Sequence, residues 1–142
     1  YDQLVVDQRI ATSAGAYFNS GAYDNTSFML YGSPTPDHSL DEVEAAVQTI
    51  IHDVMANGVT EKELTRAKKQ MLADAIYARD SMQGAANIFG AALASGESIE
   101  NIVSWPKQIS QVSAEDVKAA ATMIFDERES VVGRLLPEQP NE

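Results

Sequence analysis

The chain has two histidines, His38 and His52, and they stand fourteen residues apart. A helical zinc pair needs both ligands on one face, as in His-Glu-x-x-His or the inverted His-x-x-Glu-His. Neither histidine has a partner at such spacing. His38 closes a Pro34-Thr35-Pro36-Asp37 turn and His52 falls between Ile51 and Asp53, so both read as solvated or capping side chains. The absence of cysteine removes disulfides, thiolate nucleophiles and thiolate metal ligands together. Serine chemistry lacks its Gly-x-Ser-x-Gly elbow, and no glycine-rich phosphate fingerprint occurs. The carboxylate pairs Asp41-Glu42 and Glu115-Asp116 lie at expected first helical turns, where negative charge meets the positive end of the helix dipole. They read as caps, not as a general acid and base. Trp105 before Pro106 reads as an anchored corner between helices. No catalytic, cofactor-binding or metal-binding residue is therefore assigned, and substrate-binding residues stay unassigned.

The surrounding composition narrows the class. Of 142 residues, 44% are hydrophobic and 22% charged, which argues against a disordered polypeptide. Ten basic residues against 21 acidic ones give a formal net charge of −11, so no nucleic-acid partner is expected. The one basic cluster, Lys62, Arg66, Lys68 and Lys69, reads as the solvated face of a helix. No apolar run approaches the roughly 18 residues of a membrane span. The chain begins at Tyr1, without an initiator Met, and is expected to derive from something longer.

Residues 1–12 place Leu4, Val5, Val6 and Ile10 near helical spacing and predict the end of a helix. Aromatic-rich strands are expected near 14–22 and 26–33, joined by a tight turn at Asp24-Asn25. From Ser39 the period becomes helical. Ser39 with Glu42, Thr60 with Glu63 and Ser113 with Asp116 form capping boxes, and Asn57-Gly58 and Gly96 close helices. One helix starts at Asp80 or Ser81, and a short one near Ser98 ends at Pro106. A final strand is expected at 130–136, ended by Pro137. The order predicts an α+β fold, a small antiparallel or mixed sheet covered on one face by four to five helices. One domain spans 1–137, and 138–142 form a polar tail. Trp105, Phe125, Ile50, Val54, Leu64, Met71 and Leu72 are expected in the core.

Residues 58–68, GVTEKELTRAK, resemble the "G-v-t-x-x-E-L-x-x-A-K" segment of the pitrilysin/insulinase family of zinc peptidases. Four further pieces follow in the family's order: 79–81 (RDS), 96–106 (GESIENIVSWP), 109–117 (ISQVSAEDV) and 130–137 (SVVGRLLP). Upstream, 4–11 (LVVDQRIA) is similar to a helix that leads into a strand there.

The resemblance implies a LuxS/metallopeptidase-like fold, cut short at its N-terminus and matching the later two-thirds of a C-terminal, non-catalytic domain. In that family a homologous domain carries His-x-x-Glu-His with a distal glutamate, binds zinc and cleaves peptides, while the inert domain encloses the substrate. The chain is thus expected to be inactive alone, with zinc held by a catalytic partner domain or subunit. A structural subunit of the same fold, or an independent interaction module, are the alternatives. Bacterial relatives favour a periplasmic or secreted setting. Many inert domains grip substrate with an Arg and a Tyr seven residues apart, but here those positions fall on Val5 and Thr12, with Arg9 and Tyr17 out of register. No binding residue carries over. The missing strands leave the 14–33 hairpin with an open edge, so self-association by strand pairing is expected.

Overall fold

A computed structural model describes residues 1–18, 22–24 and 26–136. Within them lie β1 (Ala11–Phe18), β2 (Phe28–Pro34) and helices α1 (Leu40–Asn57), α2 (Glu61–Arg79), α3 (Met82–Ala94), α4 (Ile99–Gln111) and α5 (Ala114–Ile124). A π-helical turn, Asp2–Asp7, precedes β1, and a 3-10 turn, Glu127–Glu129, follows α5. The class is α+β, as the element order predicts.

The helix starts are local chemistry. Ser39, Thr60 and Ser113 each accept from the amide three residues on, and Glu42, Glu63 and Asp116 each accept from the cap amide in return. Ser81 and Ser98 cap α3 and α4 by the same hydroxyl contact. Gly58 and Gly96 end α1 and the turn after α3 at φ +76° and +87°, where a side chain would be strained.

β1 and β2 pair antiparallel from Ala11↔Pro34 to Phe18↔Phe28, with a bulge between Ala11 and Ser13. One face of this hairpin lies on α1. The core beneath it joins Leu4, Ala11, Ala14 and Val43, flanked by Val5, Ile10, Ala46, Val47 and Ile50. Gly32 lets α1 approach, since a Cβ there would come within 2.9 Å of the Val43 methyl. Phe28 stacks edge-on to Phe125 at 5.3 Å, tying the hairpin to the end of α5. The packing falls into two tiers. The π-turn, hairpin, α1 and α5 hold to one another, while α2, α3 and α4 hold to one another.

Several expectations need correction. The segment 130–136 forms no strand: it is irregular and exposed, held to α1 by Arg134, which bonds Asp41 at 2.7 Å and Glu44 at 2.6 Å. Its Val and Leu content suits a strand, but a strand exists only beside a neighbour, and among the described residues β1 and β2 pair with each other alone. The described pairing ends at Phe18↔Phe28, short of the expected turn at Asp24-Asn25, of which Asn25 lies outside the described residues. α4 does not stop at Pro106 but runs through it to Gln111, so Trp105 lies within a helix, not at a corner. Ser104 bridges this stretch, donating to the Asn101 carbonyl and accepting from Gln108. Of the expected core, Leu64 is buried, Ile50, Val54, Leu72, Trp105 and Phe125 are half-buried, and Met71 is exposed. The strands also shift, from 14–22 to Ala11–Phe18 and from 26–33 to Phe28–Pro34, and the predicted residues 19–21 and 137–142 lie outside the described ones.

Candidate functional site: the uncovered face of the hairpin

Side chains alternate across a strand, so the register sorts them into two faces. Ala14 with Gly32, Ala16 with Leu30 and Phe18 with Phe28 share one side. That side meets α1 through Ala14 and Gly32 and Phe125 through Phe28, with Phe18 at its end 47% exposed. Ser13 with Ser33, Gly15 with Tyr31 and Tyr17 with Met29 share the other. On that second side Tyr17 is 60% exposed, Met29 54% and Tyr31 53%. Three large side chains of a folded hairpin thus meet solvent on the face turned away from α1.

Gly15 shapes this surface. The Tyr31 ring lies so close across it that a Cβ on residue 15 would sit 2.5 Å from the phenolic oxygen. A flat tyrosine against bare backbone makes a shallow, rigid platform instead of a projecting ring. At the far end of the strands Thr12 donates its hydroxyl to the Ser33 carbonyl at 3.2 Å. The arrangement offers aromatic faces, a thioether and phenolic hydroxyls. Such a surface takes apolar side chains and gives a few hydrogen bonds.

The residues weighed for chemistry lie elsewhere. His38 sits before α1 with Nδ1 3.4 Å from Glu42, and His52 is exposed further along the same helix, about 20 Å away at 1.5 Å per residue. Asp41, Glu42, Glu115 and Asp116 occupy the first turns of α1 and α5. The Ser39 amide and hydroxyl hold the Glu42 carboxyl below its usual range, and the Ser113 hydroxyl and amide do the same for Asp116. These carboxylates are fixed acceptors in caps. Among the described residues no three His, Asp or Glu side chains converge as a metal site. Val5, where the family's Arg would fall, packs against the core, and Thr12, where the Tyr would fall, serves the strand ladder.

Sequence reasoning marked 14–22 and 26–33 as aromatic-rich but could not assign Tyr17, Met29 and Tyr31 to one face. That needs the register, which the bulge hides.

The fold has solved relatives. A protease from Helicobacter pylori superposes with a TM-score of 0.78 at 18% identity, covering 89% of this chain and 30% of that one. The inactive peptidase domain of a provisionally named zinc protease from Bordetella parapertussis gives a TM-score of 0.83 at 15% identity, covering 96% of this chain and 72% of that one. A provisionally named zinc protease from Bordetella pertussis gives 0.81 at 16%, covering 96% and 74%. No curated protein matches the chain. The fold is thus that of inactive peptidase domains. The model of the peptidase M16 inactive domain matches residues 1–71, and the chain belongs to that family. It spans about a third of the Helicobacter protease and nearly three-quarters of each Bordetella chain.

Proposed function

We propose that this chain is a non-catalytic wall of a zinc-dependent peptidase. Its hairpin lines a chamber in which a homologous catalytic domain or subunit, carrying the zinc, cleaves a peptide. The observation that carries this reading is the uncovered Tyr17–Met29–Tyr31 face in a chain of the inactive-domain family. An aromatic platform on a rigid sheet restricts an extended peptide and excludes folded proteins. Holding the peptide in a reactive geometry adds to rate without any chemistry from the wall itself.

The test pairs this chain with a catalytic chain of the same family that carries His-x-x-Glu-His, and follows a quenched fluorescent peptide. Cleavage should need both chains. Tyr17→Ala with Tyr31→Ala should lower it while circular dichroism stays unchanged. Full cleavage by the partner alone, or indifference to both tyrosines, would overturn the reading.

The wall also needs its sheet completed. Among the described residues β1 and β2 pair only with each other, so the outer edge of each can take a further strand, from the parent protein or from a second copy. Light scattering over a concentration series should show association. A strict monomer at millimolar concentration argues against the second copy and leaves the parent protein as the source.

A further inference from the structure

The acidity of this chain is uneven. α2 carries five basic residues against three acidic, a net charge of +2, so the remainder stands at −13. Lys62, Arg66 and Lys69 follow at steps of four and three, which puts them on one helix face. With Glu61, Thr65 and Gln70 they line a surface hollow of about 700 Å³, in which three cations face the single carboxylate of Glu61. Leu64 is buried and Leu72 and Ala75 half-buried on the side of α2 turned inward. The basic stripe therefore faces solvent.

The lysines differ in what they do. Lys68 reaches across to the Ser110 carbonyl at 3.0 Å, an anchor between α2 and α4. Arg66 meets Asp2 at 2.9 Å with its side chain 72% exposed, a contact that water weakens. Lys62 and Lys69 make no ion pair among the described residues. Further along the same face come Ile76, 64% exposed, and Tyr77, 74% exposed. One helix face thus reads basic through its first half and apolar at its end.

We propose that this face of α2 docks an acidic protein segment whose carboxylates lie on Lys62, Arg66 and Lys69 and whose apolar side chains cover Ile76 and Tyr77. Charge complementarity selects the occupant. A cationic stripe on an otherwise acidic molecule attracts anions only where it lies, and the rest of the surface repels them. The apolar end favours a polypeptide over a nucleic acid, which would ask for further cations in place of Ile76 and Tyr77. The surface lies on a helix and is independent of the hairpin face.

The experiment titrates the 15N-labelled chain with a short synthetic peptide, glutamates in its first half and leucine and phenylalanine in its second. Saturable shifts should map to the outer face of α2. Lys62→Glu with Lys69→Glu should weaken binding about tenfold or more, and raising salt from about 0.05 to 0.5 M should weaken it likewise. Ile76→Ser with Tyr77→Ser should weaken it separately. All four positions are on the surface, and a Gln version of the lysine pair serves if the Glu version unfolds. The proposal fails if no saturable shift appears up to millimolar peptide. It fails equally if a lysine-for-glutamate peptide binds as well, if the lysine variants bind normally, or if single-stranded DNA binds as tightly, which would make α2 a general polyanion surface.

Discussion

At two positions the backbone conformation or a close backbone neighbour decides which residue fits best. Arg9, between the π-turn and β1, takes φ +56°, a left-handed conformation that costs an ordinary residue about 1–2 kcal/mol. Replacing it with glycine removes that strain but loosens the unfolded chain, so Arg9→Gly should stabilise by about 0.5–1 kcal/mol. Arg9→Val should do the reverse, because a β-branched residue fits the left-handed region worst. Urea midpoints for the pair decide the matter. Gly84 is the second case. Its amide bonds the Ser81 hydroxyl at 2.9 Å, and a Cβ there would collide with the Ala78 carbonyl at the end of α2. A carbonyl in a helix cannot step aside as a side-chain tip can. Gly84→Ala should therefore cost about 1–3 kcal/mol in the same assay, the usual penalty of overpacking.

At the scale of the element, the caps make the helices sensitive to acid. In the caps, hydrogen bonds hold three carboxyls below their ordinary range: Glu42 chiefly through the Ser39 amide, Glu63 and Asp116 chiefly through the Thr60 and Ser113 hydroxyls. Outside them the Arg128 side chain does the same for Asp126. A depressed folded value means that the unfolded chain takes up protons first. The stabilisation is complete above about pH 5, and is lost as pH falls below about 4. Urea midpoints should fall with acid from about pH 5 downward, most steeply below about 4. The triple variant Glu42→Gln, Glu63→Gln, Asp116→Asn should flatten that slope, and an unchanged slope would show that other carboxyls carry it. These caps were legible in the sequence because a capping box is complete within four residues. What was not legible depended on neighbours. Residues 130–136 have strand composition but no strand beside them, and Met71 has a core-like position but no layer above it. Pro106 reads as a stop, yet α4 runs through it to Gln111. The candidate site failed for the same reason: its residues are strand-like locally, and only the pairing of Tyr17 with Met29 and Gly15 with Tyr31 makes them a surface.

The molecule as a whole is two tiers joined thinly. The contacts seen between them include the Asp2–Arg66 ion pair and the Tyr23 ring lying at Gly96. The hairpin tier owns the buried cluster of Leu4, Ala11, Ala14 and Val43, whereas neither α3 nor α4 has a buried residue. Local opening follows the number of buried apolar contacts, so amides of α3 and α4 should exchange with deuterium well before those of β1 and α1. Uniform protection across all five helices would refute the division. Trp105 gives this arrangement a practical edge. It is the one tryptophan of the chain and stands half-buried in α4. A fluorimeter tuned to the indole therefore watches the looser tier and is blind to the hairpin. Melting curves read by emission should report a protein weaker than the sheet on which its partner would rest.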